Sequence, residues 1–168
     1  SGGRVVRGQN LAAAINQQIG HEFGAGLQYV SIAAYFDSQK LQLLAKLFFE
    51  QAREENQHAM KFVRYLLDTQ GELKIPAIPQ PAASFASAEA AAQAALNWEQ
   101  EVTGQIKRLM DLAVSQNDYL AQGFLQSFID EQLEEVSKMD RLLSVIQRSG
   151  ERNLLMVEAY LVHLEKAD

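Results

Sequence analysis

The sequence predicts an all-α protein: a four-helix bundle with one long crossover and a short fifth helix at the C-terminal end. The first observation is that all three prolines fall within residues 72–87. The second is that the flanking sequence is rich in Ala, Leu, Gln and Glu, which favour helix over turn. The third is that apolar residues in these flanks recur every three or four positions, as on one face of a helix.

Five helices are expected, four long and one short. Their expected bounds are about residues 9–37, 40–70, 88–116, 118–148 and 152–165. Gly71 is expected to stop the second helix, and Ser87 to cap the third with its side chain. Residues 1–168 are expected to form one domain with a flexible start at residues 1–8.

The lengths of the connections predict the order of the helices. The short joins near Ser38 and Asn117 make the helices on either side of each join antiparallel. Residues 72–87, extended at roughly 3.3 Å per residue, can run the ~45 Å length of a thirty-residue helix. The expected order is therefore up, down, down, up, with the second and fourth helices antiparallel.

Composition restricts the partners and cofactors. With 15 basic and 21 acidic residues the net charge is −6, so no binding to a nucleic-acid backbone is expected. The absence of cysteine excludes disulfides, iron-sulfur clusters and thiolate zinc sites, and favours a cytoplasmic location. No apolar run approaches the roughly 20 residues that span a bilayer, so no membrane partner is expected.

Every long helix carries polar residues within its apolar stripe. These residues are Glu22 and Tyr29, then Glu55 with His58 beside it, then Glu99, and finally Gln132 and Glu135. Each carboxylate lies near the middle of its expected helix, so in a packed bundle the four should meet at similar height. A lone Glu in such a stripe is more often at its edge, snorkelling or paired. Four at one height are hard to explain by chance.

Metal ions explain this pattern best. Ionised carboxylates in a core cost several kcal/mol each, and no Arg or Lys lies on these stripes to offset them. Two divalent cations would neutralise four carboxylates. Oxygen ligands with one imidazole suit iron or manganese better than copper, and zinc remains a competitor. Lys138 is an alternative ion-pair partner for Glu135, and Tyr29 is equally well explained as a core tyrosine.

Four runs of residues resemble non-haem bacterial ferritins closely, and the resemblance covers nearly the whole chain. They are His21-Glu22-Phe23, Glu54-Glu55-Asn56-Gln57-His58, Trp98-Glu99-Gln100 and Asn117-Asp118-Tyr119 through Glu131-Gln132-Leu133-Glu134-Glu135. The resemblance implies that Glu22, Glu55 and His58 hold one iron. Glu55 would bridge to a second iron held by Glu99 and Glu135, with Gln132 and Tyr29 beside the pair. Glu54, Glu131 and Glu134 would form a third, weaker iron site.

The resemblance also implies a ferritin-like fold and an activity. Two Fe(II) ions would be oxidised by dioxygen or peroxide, and the ferric product stored in a shell of twenty-four subunits. The last helix would line an axis where four subunits meet, although docking on its own bundle explains its apolar residues equally well. No haem is expected, because Asn56 stands where bacterioferritins carry a haem-ligating methionine. Two other classes stay open: a di-metal enzyme acting on an organic substrate, and a scaffolding protein with a structural metal.

Overall fold

A computed structural model describes the backbone of residues 2–167 and the side chains of residues 11–167. The helices are α1 (Gly2–Ser38), α2 (Gln42–Asp68), α3 (Ala88–Ser115), α4 (Tyr119–Ser149) and α5 (Leu154–Ala167), with a 3-10 turn at Glu151–Asn153. This confirms the predicted all-α architecture. The expected flexible start at residues 1–8 lies outside the described side chains. Periodicity predicted α1 only from about residue 9, because the apolar stripe begins at Leu11.

Contacts between α1 and α3 show that these helices run antiparallel. Gln18 bonds to Gln105, and Tyr29 bonds to Glu99. The residue number therefore falls along α3 as it rises along α1.

The same reasoning applies to α2 and α4. Gln51 bonds to Glu135, and His58 to Glu131, so these two helices are also antiparallel. The order up, down, down, up predicted from the connection lengths is confirmed. It brings the middles of all four helices to one level.

The crossover between α2 and α3 is anchored on α1. Asn16 donates to the Glu72 carbonyl at 2.8 Å and accepts from the Lys74 amide at 2.6 Å. A Cβ added at Gly20 would lie 2.6 Å from Cγ of Pro76, so the crossover passes too close for any side chain there. A small residue on α1 thus fixes the path of a connection more than fifty residues away.

The two expected helix boundaries have different outcomes. Ser87 caps α3 as predicted, because its Oγ accepts from the Ala90 amide at 3.0 Å. At the end of α2, the left-handed residue is Gln70 (φ 63°) rather than Gly71. Gly71 serves close packing instead, since a Cβ there would overlap the side chain of Leu66.

The short helix α5 docks on its own bundle. Val157 is buried in the core, and Glu158 accepts from the Leu44 amide at 2.9 Å, near the start of α2. Glu151 accepts from the Ala88 amide at 2.8 Å, at the start of α3. Carboxylates are favoured at these helix ends, where backbone amides are unpaired and the dipole is positive. The large apolar side chains that α5 leaves exposed are Leu155, Met156 and Leu164.

The core consists of two apolar clusters with a polar layer between them. One cluster is built around Phe36 and Phe48, and the other around Phe62 and Phe128. The polar layer joins them at the level where the helix middles meet. Within the described residues, no helix is long and apolar enough to cross a membrane.

Candidate metal centre

The polar layer consists of the residues that interrupted the apolar stripes. All seven are less than a tenth exposed: Glu22, Tyr29, Glu55, His58, Glu99, Gln132 and Glu135. Their helices bury them because the residues one turn before and after are apolar and face the bundle axis. The four carboxylates and the imidazole that the sequence predicted in the core are therefore all buried there.

Glu22, Glu55 and His58 form the most compact group. One ligand atom from each lies within 4.8 Å of the others, and in residues 11–167 no other three His, Asp or Glu meet in this way. His58 Nδ1 is 3.4 Å from Glu55 Oε2 and 3.9 Å from Glu22 Oε2. Glu22 Oε2 is buried without a hydrogen-bond partner. Because an unsatisfied buried oxygen is costly, a cation among these three groups would relieve the strain on the fold.

Glu99 and Glu135 are engaged differently. Glu99 accepts from the Tyr29 hydroxyl and from Gln132 Nε2, the latter at 3.0 Å. Glu135 accepts from Gln51 Nε2 at 2.6 Å. These two carboxylates do not close into a three-ligand group with Glu55, although the charge of Glu55 acts on both. Protein donors therefore bond to both oxygens of Glu99 and to one oxygen of Glu135.

Burial controls the protonation of the carboxylates. Burial, together with the Glu55 carboxyl, raises the pKa of Glu22 well above its ordinary value. Burial, with the charge of Glu55, raises the pKa of Glu99 to about 8. At Glu55 burial acts in the same direction, but the hydrogen bond and charge of His58, with the neighbouring Glu22 carboxyl, outweigh it and lower the pKa.

His58 is held from both sides of its ring. Burial alone would lower its pKa, but Glu55 and Glu131 outweigh that effect and raise it to about 9. Nε2 lies 2.9 Å from Glu131 Oε1, which leaves Nδ1 facing Glu55 and Glu22. An imidazole that donates one N–H to a carboxylate presents its other nitrogen as a metal ligand in a fixed orientation.

The residues expected at a third site lie at the edge of this layer. Glu131 is partly exposed and bonds to His58, and Glu134 is exposed. Glu54 is partly buried, and its charge contributes to the raised pKa of Glu135. These three carboxylates do not form a closed group in the structure. The third site stays a prediction.

Two buried glutamines belong to the layer and were missed by the sequence reasoning. Gln51 bonds to Glu135 and, at 3.5 Å, to Glu55. Gln18 bonds to Glu22 at 3.2 Å. Each glutamine lies four residues before a core glutamate, on the same helix face, and this spacing was the available signal. The alternative partner of Glu135, Lys138, donates to Gln51 Oε1 instead, at 3.1 Å.

Comparisons with known proteins agree with this arrangement. Residues 12–149 match the ferritin-like domain. Ferritin BfrB of Mycolicibacterium smegmatis is 42% identical over 89% of this chain and 82% of its own. Bacterial non-heme ferritin of Staphylococcus aureus is 34% identical over 85% and 86%. The open pore ferritin of Archaeoglobus fulgidus superposes with a TM-score of 0.87 at 30% identity, over 90% of this chain and 94% of its own. The chain belongs to the ferritin family.

Proposed function

We propose that this protein oxidises Fe(II) in its polar layer and stores the ferric product. The observation that carries the proposal is a set of four buried carboxylates and one imidazole at one level of the core. Among the described residues, the ion pairs of Lys and Arg do not involve these carboxylates. Membership in the ferritin family supports a role in iron storage.

The first Fe(II) binds to Glu22, Glu55 and Nδ1 of His58. Three features favour this position: the ligand atoms already converge, one oxygen of Glu22 has no other partner, and Glu131 holds the imidazole. Since the pKa of His58 is raised to about 9, the incoming ion displaces a proton from this imidazole.

The second Fe(II) binds to Glu99 and Glu135, with Glu55 bridging the two ions. Binding at this position requires Glu99 to exchange hydrogen bonds for the metal, because Tyr29 and Gln132 now occupy its oxygens. It also displaces a proton, since the pKa of Glu99 is about 8. The second ion is therefore the weaker of the pair.

In the reaction each Fe(II) loses one electron. Dioxygen takes both electrons with two protons and leaves as hydrogen peroxide, or peroxide takes them and leaves as water. The metal supplies the electrons, while the protein supplies geometry and charge. Gln132 lies beside the second position, and Tyr29, whose hydroxyl donates to Glu99, is a further electron donor.

A third, weaker iron position at Glu54, Glu131 and Glu134 acts after the pair. Its support is the proximity of Glu131 to His58 and of Glu54 to Glu135. Glu134→Ala tests it without disturbing His58. The first fast oxidation of two irons should persist while the ratio of iron oxidised to oxygen consumed changes. An unchanged ratio would count against the third position.

The assembly is a shell of twenty-four subunits in the cytoplasm. Its support is family membership together with large apolar side chains exposed on α1, α4 and α5, namely Leu27, Val30, Tyr119, Leu120, Leu155 and Met156. Sedimentation of the purified protein tests this assembly. A particle far smaller than twenty-four chains would contradict it.

The deciding experiment is to give metal-free protein Fe(II) and air. Storage is supported if oxidation turns over repeatedly and the assembly retains hundreds of iron ions. Retention of two ions per chain with no further turnover favours a structural metal site. Retention of two ions with oxidation of an added organic compound favours a di-metal oxygenase.

A further inference from the structure

Gln51 is a fully buried amide whose three hydrogen bonds all concern the metal centre. Its Nε2 donates to Glu135 Oε2 at 2.6 Å and to Glu55 Oε1 at 3.5 Å. Its Oε1 accepts from Lys138 Nζ at 3.1 Å. The amide thus spans α2 and α4 and touches both of the carboxylates that lie on those helices.

Lys138 decides which way this amide points. An ammonium group can only donate hydrogen bonds, so the amide must turn its oxygen toward Lys138. The NH₂ group must then face the carboxylates. Glu135 favours the same orientation, because its carboxylate would repel the amide oxygen.

The same arrangement keeps the cation of Lys138 one group away from Glu135. A lysine bonded directly to Glu135 would compete with a metal ion for that carboxylate. Through the amide, Lys138 polarises the N–H donors of Gln51 while Glu135 keeps one oxygen for a metal. On Glu55, Gln51 contacts Oε1, whereas Oε2 is the oxygen that faces His58.

We propose that Gln51, oriented by Lys138, is a positioning residue that sets Glu55 and Glu135 at the spacing required by the second metal ion. This inference rests on the proposed two-metal function. It gives Glu55 and Glu135 a common support outside the ligand set. Such supporting partners typically contribute about 10- to 100-fold to metal affinity.

Gln18 provides a matched comparison on the opposite side of the centre. It also lies four residues before a core glutamate, is buried, and donates to Glu22 at 3.2 Å. Its other partner is the neutral amide of Gln105, at 3.2 Å. Gln18 touches only a ligand of the first ion, so its loss should affect the first ion and not the second.

The experiment is an anaerobic titration of the full-length protein with Co(II), followed by calorimetry and by the visible absorption of the bound metal. Wild type should bind two Co(II) in two steps. Gln51→Met should weaken the second step about 10- to 100-fold and leave the first step unchanged. Lys138→Met should weaken the same step by a smaller factor. Lys138→Arg should bind the second Co(II) as tightly as wild type does. Lys46→Met, which removes an exposed lysine of α2, should match wild type.

Several outcomes would overturn the inference. A second step in Gln51→Met equal to that of wild type removes the positioning role while leaving the proposed function intact. A second step weakened equally by Gln18→Met shows that losing any buried amide has this effect. A wild-type protein that binds a single Co(II) overturns the two-metal proposal itself. If Gln51→Met loses its helical circular dichroism, the half-buried Lys138→Met carries the test, and unchanged binding there refutes the inference.

Discussion

The two sides of the metal centre contain similar residues at similar depth, yet their hydrogen bonding differs. On the side of Glu22, Glu55 and His58, ligand atoms converge within 4.8 Å and one oxygen of Glu22 has no partner. On the side of Glu99 and Glu135, protein donors already bond to both oxygens of Glu99 and to one oxygen of Glu135.

This difference indicates that the two proposed metal positions of the core are not equivalent. On the first side one oxygen of Glu22 accepts no hydrogen bond in the metal-free protein, so a cation can bind that oxygen without breaking a contact to it. On the second side a cation must replace hydrogen bonds that Tyr29 and Gln132 donate to Glu99, whereas Gln51 occupies only one oxygen of Glu135.

Replacing the residue that joins both sides should have the largest effect. In Glu55→Ala both metal positions lose a ligand, so the fast phase of Fe(II) oxidation should fall by at least about a hundredfold. The metal-free variant should keep its helical circular dichroism. Stopped-flow absorbance of ferric product measures the rate. A rate equal to wild type would refute the assignment of the centre.

Replacing one carboxylate on each side should separate the two positions. Glu22→Gln should weaken the first Co(II) binding step, and Glu99→Gln the second, each by about tenfold or more. Calorimetric titration under anaerobic conditions resolves the two steps. If both variants weaken the same step, the two sides do not hold separate ions.

The stability of the metal-free protein should depend on pH because of the shifted pKa values in the centre. Between the ordinary and the raised pKa of a group, the folded protein keeps a proton that the unfolded chain releases. This pH range runs from 4.5 to about 8 for Glu99 and from 6.5 to about 9 for His58. Glu22 acts in the same direction, whereas the lowered pKa of Glu55 acts oppositely and only below its ordinary value. The free energy of unfolding of the metal-free protein should therefore decrease as pH rises from about 5 to about 9.

Melting temperatures with chelator and with Co(II) test this expectation across the same pH range. The metal-free protein should melt lower at each step up in pH. The Co(II)-loaded protein should not, because bound metal has already displaced the protons. If the melting temperature of the metal-free protein rises with pH over this range, the pKa shifts are contradicted.

The smallest effect should come from a change far from both sides. Ser87→Ala removes the cap that accepts from the Ala90 amide and should cost about 1 kcal/mol of stability. A chain of this size should then melt about 2–4 °C lower. Iron oxidation and both Co(II) steps should be unchanged. A change in either step would mean that the comparison of the two sides is sensitive to general stability.

The sequence was informative where a residue breaks a pattern. Glu22, Glu55 and Glu99 were predictable because a carboxylate in an apolar stripe needs a partner in the core. The Ser87 cap was predictable from its place before an Ala-rich helix. In each case one local rule points to one structural outcome.

The parts that were not predicted depend on contacts between distant segments. Gln51 is an ordinary helix residue until α4 brings Glu135 and Lys138 to it. Gly71 was expected to end α2, yet the residue with left-handed backbone is Gln70. A glycine is needed at position 71 because a Cβ there would overlap the side chain of Leu66. Docking of α5 through Glu158 likewise depends on the exposed start of α2.

The division of the chain by its crossover has a consequence for synthesis. All three groups of the first metal position, Glu22, Glu55 and His58, belong to the hairpin of α1 and α2. A ribosome has made them before it begins α3, whereas Glu99 and Glu135 arrive only with the second hairpin. The proposed second metal position is therefore complete only after the two hairpins have met, and so is the contact of Glu131 with His58.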